Sequence, residues 1–186
     1  MYRMKKFFLF IICLMFPVLA MAQGQKGEVD DCVSMKDGKV YYADEEDIDG
    51  ATQFEIFKAI NAWAKKIYKT PINVRSNKGK GTIHINSKAE LKLNDSEKAN
   101  IKYKLRITCA DGHYTIDATD IEYQYTADKA EKPKTYKAED VIANNGKSNT
   151  IAEIKDPKAF CNATYFFVES LFADVYSAAE EVENND

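Results

Sequence analysis

The residues best suited to acid–base chemistry lie on two adjacent segments in which apolar and polar residues alternate. Asp117, Asp120 and Glu122 are the clustered carboxylates of the second segment, and two neighbouring carboxyl groups can act as general acid and general base. The Asp-Gly pair at residues 111–112 favours a two-residue hairpin turn, which would place Arg106 opposite Asp117. A cross-strand ion pair explains these residues better than catalysis does.

The two histidines add little support for catalysis. His84 occupies an outward position of a predicted strand and His113 follows the hairpin turn, and both positions are typical of exposed residues. No Gly-x-Ser-x-Gly elbow, His-Glu-x-x-His motif or Cys-x-x-Cys pair occurs in the chain. The sequence therefore predicts a protein that is not an enzyme and that has no metal and no cofactor. One polar site on a sheet face remains a candidate, and it would contain His84, Arg106, Asp117, Asp120 and Glu122.

The helix that precedes these segments is predicted by a capping box and by its apolar periodicity. Thr52 stands at the N-cap position and Glu55 follows three residues later. Apolar residues then recur at spacings of three and four as far as Ile67, which is typical of an amphipathic helix. Pro71 disfavours helix in the residue before it, so we expect the helix to end near Lys69.

A short strand is predicted before this helix, and further strands are predicted after Pro71, where the apolar period changes from 3.6 to 2. In the last strand the apolar residues are even-numbered up to Ala118 and odd-numbered from Ile121, and a regular strand cannot place both sets on one face. We therefore predict a β-bulge near Thr119-Asp120, which would bend the sheet. The predicted strands are residues 40–43, 72–74, 82–93, 101–109 and 114–125.

A second helix is predicted from Pro157 to about Val182, with Asp156 as its N-cap. The charged residues 127–149 before it are predicted to form a mobile loop with at most one helical turn, at 138–142. Aromatic residues beside the inward stripe of the helix could meet a partner or a second copy of the chain, or lie along the sheet edge or under the loop. These residues are Tyr165, Phe166 and Tyr176.

Together the elements predict the α+β class. Their order is β-α-β-β-β-β-α, and a curved antiparallel sheet would be covered on one face by two helices in a two-layer sandwich. Residues 40–182 would form this single domain, and residues 183–186 an acidic tail.

The first 22 residues have the pattern of a cleaved signal peptide. Three basic residues precede an apolar run of about 13 residues, too short to span a bilayer, and Ala20-Met21-Ala22 is typical of a cleavage site before Gln23. Removing residues 1–22 from a chain of 186 with 26 basic and 29 acidic residues leaves 164 residues and a net charge near −6. We expect export to the periplasm, the cell envelope or the medium, with residues 23–39 as a flexible leader.

Three cysteines remain after cleavage, so at least one thiol stays free. Cys109 and Cys161 are interpreted as small buried apolar residues. A disulfide between two of Cys32, Cys109 and Cys161 is the alternative, since an exported protein meets an oxidising environment.

Residues 51–125 resemble a family of exported proteins of unknown function from the Bacteroides group, described as having a TATA-binding-protein-like (TBP-like) fold. The resemblance rests on residues 60–68 (INAWAKKIY), 103–114 (YKLRITCADGHY) and 120–123 (DIEY). It implies the TBP-like fold and no activity, because the family has no established function. DNA binding is not implied either, since a minor-groove protein needs apolar wedges and a positive face, and the outward residues here are mixed in sign.

We therefore expect a non-catalytic binding or assembly module of the envelope. Its sheet or last helix would contact an envelope protein, a glycan or a lipid component, and nucleic acid and a transmembrane span in the mature chain are not expected. The chain would be a monomer or a weak homodimer. The alternative is a small-ligand carrier or hydrolase with a pocket between the sheet and residues 127–149.

Overall fold

The computed structural model of the protein describes residues 31–68, 73–128, 131–147 and 151–182. The predicted signal peptide at residues 1–22, its cleavage site between Ala22 and Gln23, and the predicted tail at 183–186 lie outside the described residues.

The described residues form eight strands and three α-helices, with short 3₁₀ turns after β4 and after α2. The helices are α1 (Gln53–Tyr68), α2 (Ala138–Ile142) and α3 (Pro157–Glu180). The strands are β1 (Met35–Lys36), β2 (Lys39–Val40), β3 (Tyr42–Asp47), β4 (Val74–Asn77), β5 (Thr82–Lys92), β6 (Lys98–Ala110), β7 (His113–Tyr125) and β8 (Lys134–Lys137).

Six strands form one antiparallel sheet in the order β3-β7-β6-β5-β4, and β8 also pairs with β7. β3 lies beside the first half of β7, from His113 to Ala118, and β8 lies beside the second half, from Glu122 to Tyr125. β1 and β2 form a separate two-stranded hairpin. The α+β class and the antiparallel sheet predicted from the sequence are confirmed. The predicted order is incomplete, because it has five strands and two helices, whereas the described residues form eight strands and three α-helices.

The register of β6 and β7 follows from the two-residue turn that joins them. Ala110 pairs with His113, as the Asp-Gly sequence predicted, and Gly112 has a positive φ of 78°, which glycine adopts without steric cost. Because the two strands then pair residue by residue, Arg106 lies opposite Asp117, which confirms the predicted cross-strand pair.

The predicted β-bulge is present in β7. Lys104 pairs with Thr119 and Lys102 with Glu122, so Tyr103 alone lies opposite the two residues Asp120 and Ile121. Asp120 has a φ of 49°, in the left-handed region that accommodates one extra residue. The bulge restores the register, because the even-numbered apolar residues before it and the odd-numbered ones after it are all buried on the same face of the sheet.

α1 and α3 begin where their caps predict. Thr52 N donates to Glu55 Oε2 at 2.9 Å and Glu55 N donates to Thr52 Oγ1 at 3.4 Å, which completes the capping box before α1. Asp156 Oδ1 accepts from Ala159 N at 2.9 Å at the start of α3. No helix in the described ranges is long and apolar enough to cross a membrane.

The core lies between one face of the sheet and the helices. Tyr123 of β7 and Thr164 of α3 are both fully buried, and their hydroxyl groups lie 2.7 Å apart. Thr164 donates its proton to the Phe160 carbonyl at 2.7 Å, so Tyr123 donates to Thr164. Burial raises the pKa of Tyr123 far above its ordinary value, so this hydroxyl remains a donor throughout the physiological range.

The prediction of a mobile loop at residues 127–149 is wrong for most of the described part of that segment. It contains β8, α2 and a 3₁₀ turn, and three of its side chains are fully buried in the core: Ala138, Val141 and Ile142. The helical turn predicted at 138–142 is α2. Three apolar residues are too few to give a periodic signal, and their burial depends on contacts with distant elements.

The prediction of a flexible leader also fails for residues 31–39. Cys32 forms a disulfide with Cys161, with 5.6 Å between the two Cα atoms. Tyr42 donates its hydroxyl proton to the Cys32 carbonyl at 2.7 Å, and Val33 N donates to Asn145 Oδ1 at 3.1 Å. The interpretation of Cys161 as a plain buried residue is therefore wrong, and the alternative of a disulfide is correct.

The disulfide should contribute strongly to stability, because it joins residues 129 positions apart in sequence. We expect the double variant Cys32→Ser/Cys161→Ser to lose about 2–5 kcal/mol of unfolding free energy, measured by guanidinium denaturation. Wild-type protein refolded in dithiothreitol should lose the same amount, and the double variant should not respond to the reductant. A wild-type protein insensitive to reductant would contradict the cross-link.

Cys109 is the free cysteine of the described residues and is 1% exposed. Burial raises the pKa of its thiol to about 12, so almost no thiolate forms at pH 8. We expect iodoacetamide at pH 8 to leave Cys109 unmodified in the native protein and to alkylate it rapidly in denaturant, as read by mass spectrometry. Native alkylation at the rate of a small free thiol would contradict this burial.

Candidate functional site

The face of the sheet opposite the core carries the polar side chains of β4, β5, β6, β7 and β8, and we call it the polar face. Residues on neighbouring strands that pair directly also point to the same side, about 5 Å apart. The polar face is therefore organised in rows that cross the sheet. Two of these rows contain most of its charge.

The first row crosses β4, β5, β6 and β7 and consists of Arg75, His84, Arg106 and Asp117. Arg106 Nε donates to Asp117 Oδ2 at 2.8 Å. The Asp117 side chain is only 13% exposed, so the hydrogen bond from Arg106 satisfies a carboxylate that has lost most of its water. The same hydrogen bond raises the pKa of Arg106.

The second row crosses β5, β6, β7 and β8 and consists of Lys88, Lys102, Glu122 and Lys137. We call it the lysine row. Lys102 Nζ lies 3.5 Å from Glu122 Oε2. Within the described part of the chain, Lys88 and Lys137 have no carboxylate within ion-pair distance. One carboxylate thus faces three ammonium groups.

The bulge places Asp120 between the two rows. Its carboxylate lies 2.7 Å from Lys104 Nζ and 3.5 Å from Lys39 Nζ. The hydrogen bond from Lys104 is the main reason that the pKa of Asp120 is lower than the ordinary value for an aspartate. Asp120 therefore stays ionised and is not a proton donor near neutral pH.

Two adjoining grooves lie over these residues, with volumes of about 660 Å³ and 590 Å³. Both are lined by Lys39, Lys104 and Asp120. Together their linings carry seven lysine or arginine residues and four acidic residues, an excess of three positive charges, whereas the whole chain has a net charge of −3. The grooves are thus cation-rich sites on an acidic protein, and this arrangement favours anionic ligands.

All five residues of the predicted polar site lie on this face. The larger groove is lined by two of them, Asp120 and Glu122. The smaller groove is lined by His84, Arg106, Asp117 and Asp120.

The sequence reasoning missed the cations that complete the two rows. Lys88 has an outward position in the strand predicted at 82–93, so the alternation already assigned it to this face. Arg75 lies just after the strand predicted at 72–74, and the pairing of β4 with β5 places it beside His84. Lys137 was assigned to a mobile loop, and only the pairing of β8 with β7 places it beside Glu122.

The carboxylates of the polar face are engaged in ion pairs, which is unfavourable for acid–base chemistry. Asp117 pairs with Arg106, Glu122 with Lys102, and Asp120 with two lysines. Across the described ranges, no group of three or more His, Cys, Asp or Glu residues could hold a metal ion. The three carboxylates predicted for this site are thus held by cations, and the arrangement can attract and orient negative charge.

Two concave sites adjoin residues 127–149, where the sequence predicted a pocket against the sheet. A small cavity of about 170 Å³ lies beside Tyr125, Lys134 and Glu153, and none of the predicted polar residues line it. The 660 Å³ groove is bounded on one side by Lys137 and Glu139 of the same segment.

The aromatic residues predicted as a partner surface are half-buried. Tyr165 and Tyr176 pack against the core, and the rings of Tyr165 and Phe166 meet edge to face with centroids 5.5 Å apart. The large apolar side chains exposed on the described residues are instead Met35, Phe54 and Ile67.

The antiparallel sheet, covered by helices on one face and cation-rich on the other, defines an α+β domain with the TBP-like fold. The chain belongs to the family described as a domain of unknown function (DUF4468) with TBP-like fold, whose model matches residues 42–124.

Two solved structures are similar to the protein. A TBP-like protein from Parabacteroides distasonis ATCC 8503 is 63% identical with a TM-score of 0.77, and the match covers 80% of this chain and 97% of that one. A DUF4468 family protein from Bacteroides ovatus ATCC 8483 is 24% identical with a TM-score of 0.68, covers 82% of this chain and 92% of its own, and shows the fold alone. A search of curated proteins found no match.

The ion pair between Lys104 and Asp120 can be tested by titration. We expect Lys104→Met to raise the pKa of Asp120 toward its ordinary value, measured from the carboxyl ¹³C shift. Because the folded-state pKa of Asp120 is lowered, its stabilising effect is complete above about pH 4, where an unfolded aspartate is ionised, and is lost as the pH falls through the folded value.

Lys98→Met is the matched control, because Lys98 pairs with Glu90 at 2.6 Å and not with Asp120. An Asp120 pKa that is identical in wild type and Lys104→Met would contradict the assigned cause.

Proposed function

We propose that the protein is exported and works as a non-catalytic binding module, holding an anionic component of the cell envelope against the polar face. The observation that carries this proposal is the lysine row, in which Lys88, Lys102 and Lys137 share one carboxylate, Glu122. A negatively charged ligand would supply the charge that this row lacks.

The lysine row is unfavourable for the isolated fold. Lys88 and Lys102 are directly opposite each other on neighbouring strands, and like charges in this position destabilise a sheet. A local arrangement that opposes stability commonly marks a functional surface. In an acidic chain, whose overall field repels anions, a cation-rich groove also defines where an anion can approach.

Two features support the other parts of the proposal. Export is supported by the pattern of residues 1–22 and by the Cys32–Cys161 disulfide, which is typical of proteins that fold in an oxidising compartment. A non-catalytic role is supported by the ion pairs that engage Asp117, Asp120 and Glu122.

Direct binding of defined anionic probes tests the proposal. The probes are an oligogalacturonate, poly-L-glutamate and phosphatidylglycerol vesicles, with dextran as the neutral comparison, and the readout is amide NMR shifts of the folded protein. We expect at least one anionic probe to shift amides of β5, β6 and β7, with binding that weakens as salt is added. Dextran should cause no shift.

Charge reversal gives the matched variants. Arg75→Glu/Lys137→Glu should weaken binding about tenfold, equivalent to ~1.4 kcal/mol. Lys58→Glu/Lys65→Glu, a double reversal at exposed positions of α1 away from the polar face, should leave the affinity within about twofold. Absence of binding to every anionic probe, or equal losses in both variants, would refute the proposal.

A further inference from the structure

Among the residues that the structure describes, half of β5 has no strand beside its outer edge. β4 pairs with β5 only from Thr82 to Ile85, and one further hydrogen bond joins Asn86 N to the Asn73 carbonyl at 2.9 Å. In contrast, β6 pairs with β5 along its whole length, as far as Lys92. Within the described ranges, residues 87–92 therefore have no strand on their outer side.

The hydrogen bond at Asn86 determines which backbone groups face this edge. The N–H and C=O groups of one residue in an antiparallel sheet point to the same side, and the side alternates along the strand. Since Asn86 faces β4, the residues that face the open edge are Lys88, Glu90 and Lys92. They present three N–H donors and three C=O acceptors over a length of about 14 Å.

Four lysine side chains lie beside this edge, and only three of them have a carboxylate partner in the described residues. Lys88 and Lys92 lie opposite Lys102 and Lys98 of β6. Three of these four lysines have a carboxylate partner: Lys92 has Asp95 at 3.4 Å, Lys98 has Glu90 at 2.6 Å, and Lys102 has Glu122 at 3.5 Å. Lys88 is the one left without a partner in the described part of the chain, and an acidic side chain on the next strand would lie directly beside it.

A second copy of the chain does not fit this edge. Antiparallel self-pairing centred on Glu90 would place Glu90 opposite Glu90 and Lys88 opposite Lys92, so like charges would meet at each of the three edge-facing positions. The shifted register that pairs Lys88 with Glu90 would place Lys92 opposite Asn86. The backbone of Asn86 is already bonded to Asn73 of the same chain, so β4 blocks that register. The register that pairs Glu90 with Lys92 would place Lys88 opposite Asn94, which has no negative charge and whose N–H already donates to the Glu97 carbonyl.

The face of β5 that packs against the core indicates which other side chains an added strand should have. Ala89 is half-buried against the core and Leu91 is 1% exposed. An apolar side chain placed beside Ala89 would extend the core, whereas residues on the opposite side of the same strand would face Lys88 on the polar face. The complementary segment is therefore one that alternates acidic and apolar residues.

We propose that an extended acidic segment of another polypeptide adds to the sheet as a new strand along residues 88–92 of β5. The backbone of the segment bonds to the six N–H and C=O groups that face this edge, and its acidic side chain pairs with Lys88 at the end of the lysine row. This inference rests on the proposed function, because it identifies the anionic ligand as a polypeptide strand.

A designed peptide tests the pairing directly. The probe is the acetylated and amidated heptapeptide Thr-Glu-Val-Thr-Val-Glu-Thr, in which the second, fourth and sixth residues match the edge-facing residues of β5. We expect it to bind the wild-type protein. N-methylation at the second and sixth residues should weaken binding at least tenfold, because it removes donors aimed at β5. N-methylation at the third and fifth residues should change it by less than threefold.

Two substitutions at one position separate the backbone from the charge. Lys88→Pro removes an N–H that faces the open edge and is not used by β6, a position at which edge strands tolerate proline. We expect at least a tenfold loss of peptide affinity in Lys88→Pro and a loss of about threefold in Lys88→Gln, which keeps the N–H. The N-methylated peptides act on wild-type protein, so the test does not depend on the folding of the proline variant.

The outcomes distinguish this inference from the proposed function. Equal effects of the two N-methylation patterns, with the charge-reversal variants still weakening the anionic probes, would overturn strand addition and leave anion binding intact. Binding of oligogalacturonate or vesicles but not of the peptide would do the same. Failure of every anionic probe, peptide included, would overturn both proposals.

Discussion

The pairing of β6 with β7 depends on one extra residue in β7, and the rest of the sheet follows from it. Without the bulge at Asp120, one half of β7 would turn its apolar residues toward solvent. With the bulge, Ala118 and Ile121 are both buried, and the bend separates the edge of β7 into a part that pairs with β3 and a part that pairs with β8. The residue that serves the core in this way also holds Lys104 and Lys39 at the junction of the two grooves.

The disulfide connects the N-terminal hairpin to the rest of the domain. Cys161 lies in the first turns of α3, and through it the hairpin of β1 and β2 is attached to the helix that covers the core. Lys39, at the start of β2, thereby lines both grooves. The disulfide thus connects residues 31–39 to a distant helix, and Lys39 at the end of this segment forms part of the lining of the candidate site.

Charge is distributed unevenly between the two faces of the molecule. The polar face has more lysine and arginine than aspartate and glutamate, although acidic residues dominate the chain as a whole. Ion pairs neutralise the carboxylates of this face and leave Arg75, Lys88 and Lys137 as surplus cations at its margins. One of these cations, Lys88, lies at the outer edge of β5. Long-range electrostatic attraction and backbone hydrogen bonding can therefore act on the same ligand there.

The sequence alone determined the class, the caps of α1 and α3, the hairpin at residues 111–112 and the bulge, because each is set by a local rule of spacing or turn chemistry. It also placed His84, Arg106, Asp117, Asp120 and Glu122 on one face, because period-two alternation assigns a residue to a side of the sheet. Only the tertiary structure decided the Cys32–Cys161 bond, the burial of α2 and the place of Lys137 in the lysine row. These depend on contacts between residues distant in sequence, for which local periodicity carries no signal.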